Sequence, residues 1–282
     1  MIPRICLTWF LSMVTVSAAS VQFEQKRDIE YAQVDGVSLR MDASIPKDAV
    51  RVPAAIIVHG GGWVRGDRRT EVEPLFDPLN DAGFAWFSID YRLVNNVIQF
   101  GEGIEDVESA VRFIKSHAAE FHIDPDKLAL IGESAGGQLA AIAALRLPPG
   151  SVKAVVALYT PTDLVTLLKN SNYIPAQIRK SVEGTPWENL ILAGLGQLSP
   201  IQNVRRDMPP FLFIHGTADP LVPFSQSTAM CQRMRQAGAS CEVYPLEGAG
   251  HGIRWWESSP RYEGYKRKMT DWLFAQLTKG SS

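Results

Sequence analysis

The sequence predicts an α/β fold built on a doubly wound, mostly parallel sheet, and three observations carry that expectation. Short apolar runs alternate with amphipathic segments along nearly the whole chain. The runs are apolar at successive positions, which suits strands covered by helices on both faces. A regular alternation of strand and helix then leaves a layered α/β sheet as the consistent architecture.

The first pair of elements is the exception to the parallel pattern. Residues 29–34 and 37–42 flank Asp35-Gly36, a dipeptide suited to a tight hairpin turn. Buried strands are expected at 54–58, 84–87, 128–131, 152–158, 211–214 and 241–244. Val107, Ala110, Val111 and Ile114 recur at helical spacing, with Glu105 and Asp106 placed where acidic groups favour a helix start. A helix follows Ser134, and a last one is expected over 262–277. Residues 163–204 hold Pro175, Gly184, Pro186 and Gly194 and no clear strand. So long a stretch inside a compact domain reads as a functional insertion, here a cap over the site.

Residues 1–20 differ in kind from the rest. Arg4 precedes an apolar run over 5–16, and Ser17, Ala18, Ala19 and Ser20 are small. This is the layout of a cleavable secretory signal, and the run is shorter than the roughly 20 residues a membrane span needs. The expectation is therefore export to the periplasm or medium and a single domain over 21–282, with no membrane attachment after cleavage. The competing reading is an uncleaved anchor. Cys6 leaves with the signal, so Cys231 and Cys241 are expected to pair in an oxidising compartment; two reduced, packed cysteines are the alternative. With a net charge of −2, nothing in the overall balance points to nucleic acid.

Chemistry concentrates at two glycine-rich turns. Gly132-Glu133-Ser134-Ala135-Gly136-Gly137 joins a strand to a helix, the context in which G-x-S-x-G exposes a nucleophilic serine. His59-Gly60-Gly61-Gly62-Trp63 follows a strand directly. Acyl transfer builds negative charge on a carbonyl oxygen, and backbone N–H groups of such a loop stabilise it. A phosphate cradle is the alternative, but neither nucleotide-binding glycine pattern is present. No His/Cys cluster has zinc spacing, so neither metal nor organic cofactor is expected.

With these motifs the sequence resembles the α/β-hydrolase superfamily, in particular the HGGG-loop bacterial esterases related to hormone-sensitive lipase, whose neighbours include acetyl-xylan, feruloyl and short-chain carboxylesterases. Asp90-Tyr91-Arg92, Ser199-Pro200, His215-Gly216-Thr217-Ala218-Asp219 and Gly250-His251-Gly252 add to the likeness. It implies Ser134 as nucleophile, Asp219 as acid and His251 as base, in the family's chain order. It also implies an oxyanion hole from the N–H groups of Gly61, Gly62 and Ala135. Asp163 is the alternative acid, and in the family more often fixes the base of the cap. His59 and His215 are expected to brace loops, and His117 and His122 to lie at the surface. Glu133 is expected to bond nearby backbone. Trp63 is the expected pocket wall, ahead of Trp255 and Trp256, which either stack on substrate or pack against the cap. The implied substrate is a small-molecule or polysaccharide ester with a short or compact aromatic acyl group. An aryl formamidase and a non-catalytic binding protein of the same fold are the rival readings.

Overall fold

The computed structural model describes residues 21–48, 51–94, 101–170 and 182–278. The signal reading at 1–20 lies outside them. Eight strands occupy Phe23–Val34 (β1), Val37–Pro46 (β2), Val52–Val58 (β3), Ala85–Ile89 (β4), Ile123–Glu133 (β5), Ala154–Leu158 (β6), Phe211–Gly216 (β7) and Cys241–Leu246 (β8). They form one sheet in the order β1-β2-β4-β3-β5-β6-β7-β8. The β1/β2 and β2/β4 pairs are antiparallel and the rest parallel.

Alternation explains why the central strands are apolar throughout. Ile56, Leu130, Val155 and Phe213 face one buried cluster, while Ile57, Ile131, Val156 and Ile214 face the other. Helices Glu102–Ser116 (α2) and Ser134–Arg146 (α3) cover the first side, whereas Phe76–Asp81 (α1) and Gly264–Thr278 (α8) cover the second. In α2 the buried stripe is Ile104, Val107, Ala110, Val111 and Ile114, at the spacing the sequence shows. Asp106 does not serve the helix dipole as expected. It is buried, and its carboxylate accepts from the Arg92 guanidinium at 2.8 Å and the Arg92 N–H at 2.8 Å. Glu102 and Glu105 hold the first turn instead.

Several strands exceed their apolar runs. β1 starts six residues early, because Phe23–Val34 is an edge strand whose outward positions are charged. Inserted residues shift its register against β2 around Asp28, which has a φ of +57°.

The insertion contains Leu164–Asn170 (α4), Glu188–Gln197 (α5) and a 3-10 turn at Pro200–Asn203; residues 171–181 of the expected cap lie outside the described residues. No residue of α5 is buried. Two further helices, Ser225–Gln236 (α6) and Ile253–Glu257 (α7), follow β7 and β8. Cys231 of α6 and Cys241 of β8 are joined, with Cα atoms 5.4 Å apart. Among the described residues no helix is long and apolar enough to cross a membrane. The loops leaving β3, β5, β6, β7 and β8 all open at the carboxyl edge of the parallel strands, where ligands of open α/β sheets bind.

Candidate active site

The turn from β5 into α3 accepts glycine for steric reasons that can be read atom by atom. A Cβ on Gly132 would lie 2.5 Å from the Gly136 carbonyl oxygen. On Gly136 it would lie 2.2 Å from the carbonyl oxygen of His59, and on Gly137, 1.9 Å from Thr160 Oγ1. Packed this closely, the turn holds Ser134 at a φ of +48°, a left-handed conformation that costs a non-glycine residue about 1–3 kcal/mol.

The exposed hydroxyl meets the loop after β8. Ser134 Oγ is 3.0 Å from His251 Nε2, and His251 Nδ1 is 2.7 Å from Asp219 Oδ2. A carboxylate on Nδ1 fixes the proton there and leaves Nε2 as an acceptor facing the serine O–H. The other Asp219 oxygen accepts the N–H groups of Leu221 at 2.8 Å and Val222 at 2.9 Å. Burial alone would raise the Asp219 pKa. The hydrogen bonds from His215 and His251 outweigh it and hold the carboxyl well below the usual range. His215 Nε2 lies 2.9 Å from the Val222 carbonyl and 3.3 Å from Asp219 Oδ2, two acceptors that place its proton on Nε2. Its Nδ1 therefore accepts from Ser227 Oγ at 2.7 Å. His215 thus braces the acid loop, as expected.

The glycine loop after β3 forms the facing wall. Gly61 and Gly62 have φ of +104° and +63° and line the same cavity as Ser134. A side chain on Gly61 would run into the Arg65 carbonyl oxygen at 2.0 Å. Ala135 is the buried residue after Ser134 at the start of α3. His59 stacks on Tyr91 with centroids 4.4 Å apart, and its Nδ1 sits 2.8 Å from the Gly60 carbonyl. Burial lowers its pKa, so it is a neutral brace.

Glu133 ties these walls together. Its Oε1 accepts the Gly60 N–H at 2.9 Å, the backbone bond expected of it, and its Oε2 accepts the Tyr159 hydroxyl. Burial pushes the Glu133 pKa up despite both bonds. The Tyr159 oxygen also accepts the Ile253 N–H at 3.1 Å, and the ring stands edge-on to His251 at 4.6 Å. Glycine loop, elbow and histidine loop therefore share one buried Glu–Tyr contact. Tyr159 was not singled out in the sequence; the signal available was its place directly after a parallel strand, as with Ser134.

The cavity has a volume of about 360 Å³, and Trp255 forms part of its wall with Leu221 and Val222. Trp63 does not, contrary to expectation. Its indole N–H donates to Gln138 Oε1 at 2.9 Å and its ring packs against the core beside α3. Being next to the glycine loop in sequence did not put it on the cavity side, because its φ is +66° and the chain turns there. Trp256 is fully buried against Tyr159, so it packs in the core rather than lining the site. Asp163 is not near the histidine but at the base of the insertion. Its oxygens accept the Thr166 N–H at 3.0 Å and the Thr166 hydroxyl at 2.7 Å, capping α4. His117 and His122 reach the surface half-buried: His117 stacks on Phe113, and His122 Nδ1 sits 3.0 Å from the Pro46 carbonyl. No described residue of 163–204 lines the cavity. Among the described residues no group of His, Cys, Asp and Glu could hold a metal.

A serine, an imidazole and a carboxylate in line, beside N–H groups of a glycine loop, can perform nucleophilic acyl transfer. The fold is that of the α/β-hydrolases: a thermophilic esterase from Thermogutta terrifontis has a TM-score of 0.73 at 25% identity, covering 93% of this chain and 94% of that one. Residues 41–234 match the BD-FAE family model, and the chain belongs to that family. Among its relatives, the esterase LipC of Mycobacterium tuberculosis is 33% identical over 71% of this chain and 53% of its own. A probable carboxylic ester hydrolase of the same organism, LipM, is 31% identical over 68% of this chain and 47% of its own. The chain thus spans about half the length of these relatives.

Proposed function

We propose that the protein is a serine carboxylesterase in which Ser134, His251 and Asp219 act as nucleophile, base and acid. The observation that carries this is the continuous line of Ser134 Oγ, His251 and Asp219 Oδ2 through contacts of 3.0 and 2.7 Å. His251 takes the serine proton as Oγ attacks the ester carbonyl, and the oxyanion rests on the N–H groups of Gly61, Gly62 and Ala135. The alcohol leaves with the proton from His251. Water, deprotonated by His251, then cleaves the acyl-enzyme to the free acid and regenerates Ser134. Asp219 keeps the imidazole in its Nδ1–H tautomer and stabilises its cation.

Short acyl groups or compact aromatic ones are the preferred substrates, whether on small molecules or on polysaccharide. A cavity of about 360 Å³ is at the small end for ligand sites. The Thermogutta esterase has been solved with butyrate and with propionate bound. The chain is exported through residues 1–20, and its Cys231–Cys241 bond forms after export.

Ser134→Ala tests the mechanism: kcat falls at least ~10³-fold while the far-ultraviolet circular dichroism is unchanged. Near-normal turnover by the folded variant would refute the assignment. Comparing acetyl, butyryl, octanoyl, feruloyl and N-formyl substrates tests the specificity, and a rise in kcat/KM with chain length would overturn it. Intact-mass analysis of exported protein checks the mature start and the disulfide.

A further inference from the structure

Charge in the cavity is unevenly used. Two arginines and two glutamates line it besides His251: Arg65, Arg254, Glu71 and Glu133. Glu133 is spoken for, since both its oxygens accept hydrogen bonds from Gly60 and Tyr159. Arg65 leaves the end of the glycine loop, and its Cγ passes within 3.1 Å of where a Cβ on Gly61 would stand. Its stem therefore runs beside Gly61. Arg254 comes from the opposite rim, three residues after His251. Its Nη2 donates to the Thr70 carbonyl oxygen at 3.3 Å, which ties the guanidinium to the chain after the glycine loop. Among the described residues, no carboxylate lies within 4.0 Å of either guanidinium. Glu71 and Glu133 match the two guanidinium groups in number, but Glu133 is buried and Glu71 half-buried, whereas Arg65 and Arg254 are exposed and are the charges an entering ligand meets first.

We propose that this cavity selects an anionic substrate: an ester carrying a second, free carboxylate a few bonds from the scissile carbonyl. The proposal rests on the esterase reading above and narrows its substrate class. A guanidinium matches a carboxylate in shape and offers paired N–H donors, and because both arginines are exposed at the rim their attraction is sensitive to salt. Trp255, 45% exposed and beside Arg254, supplies an apolar face for the rest of the molecule.

The experiment compares monobenzyl succinate with benzyl butyrate, which differ in a terminal carboxylate against a methyl group. Release of benzyl alcohol by the wild-type protein at low ionic strength should favour the succinate by ~10-fold in kcat/KM, equivalent to about 1.4 kcal/mol. The preference should shrink to under ~3-fold in 0.5 M salt. Arg65→Ala and Arg254→Ala should each cut it ~3-fold, the lysine variants should retain most of it, and Glu71→Gln should raise it. Equal or better use of the butyrate by wild type, or a ratio unmoved in both alanine variants, would overturn the proposal. Calorimetry on Ser134→Ala reads recognition without turnover. Tighter binding of the succinate, weakened by Arg65→Ala, supports anion selection by the cavity; if the wild type cleaves neither ester, the esterase reading fails and with it the claim that the bound anion is a substrate. No difference in binding refutes it.

Discussion

The glycines of the elbow and those of α5 are the same residue under opposite constraints. Around Gly132, Gly136 and Gly137 a methyl group would meet neighbouring atoms at 2.5 Å or less. Around Gly194 and Gly196 of α5 no described atom lies within 4 Å of that position. In the first region glycine is required because α3 is pressed onto the ends of β3 and β6. In the second it only loosens a helix none of whose residues is buried. The lesson is that glycine-rich sequence is evidence for a site only where the backbone around it is crowded.

The sharpest test of that difference is Gly136→Ala. Its Cβ would strike the carbonyl oxygens of His59 and Val58 at 2.2 and 2.3 Å, and both belong to backbone that a sheet holds in place. A loss on the order of 3 kcal/mol is expected, read as a lowered midpoint in urea. Stability within ~0.5 kcal/mol of wild type would mean the elbow is more yielding than its contacts indicate.

Tyr159→Phe probes how the crowded region is held. It removes the hydroxyl shared by Glu133 and Ile253 and leaves the ring against His251. We expect kcat to fall ~10- to 30-fold with KM changed less than ~2-fold, because the loops lose alignment and the nucleophile remains. The buried Glu133 carboxyl then loses one of its two donors, so the activity profile should shift on the acid side relative to wild type. An unchanged profile and kcat would make the Glu–Tyr contact purely a packing detail.

The hairpin edge supplies a third setting, held by charge instead of fit. Asp42 is bonded by Arg68 Nε at 3.0 Å and Arg69 Nε at 2.5 Å, and by the Asp28 N–H at 2.9 Å. Burial raises its pKa, but these bonds outweigh it and lower it to about 2. A carboxyl depressed in the folded state contributes stability above its unfolded pKa of about 3.9 and loses it as pH falls towards 2. Asp42→Asn should therefore cost about 1–2 kcal/mol at pH 6 and close to nothing more than wild type at pH 2, measured by denaturant unfolding.

At the small end, Gly194→Ala should stabilise the protein by up to ~0.5–1 kcal/mol through helix propensity, with no change in kcat/KM for a short-chain ester. Loss of activity would show that α5 approaches the substrate after all.

The same contrast explains what could be read in the sequence. Strands with two buried faces announced themselves, and so did the two glycine motifs and the order of Ser134, Asp219 and His251. The structure brings those three side chains together. β1 was partly missed because an edge strand with one wet face carries Glu24, Lys26 and Arg27, which do not look like strand residues. Trp63 was misplaced because motif adjacency says nothing of which way a side chain leaves a left-handed turn. Tyr159 went unseen for a different reason: its partner Glu133 is 26 residues away, and such a pairing leaves no local pattern. Arg65 and Arg254 lie close in sequence to the glycine loop and to His251, but an exposed arginine in a loop carries no signal of which way its side chain turns.

Trp255 also gives the protein a built-in optical reporter. The chain has seven tryptophans. Trp86, Trp256 and Trp272 are buried and Trp63 is half-buried, so their emission is set by the core. Trp187, 66% exposed on the insertion, is the main source of red-shifted background, and Trp187→Phe removes it. Among the described residues, what then remains wet is the indole of Trp255 at the cavity wall. A ligand entering beside Ser134 displaces water from that ring, so its emission should move to the blue in proportion to occupancy, giving a titration that needs neither label nor turnover.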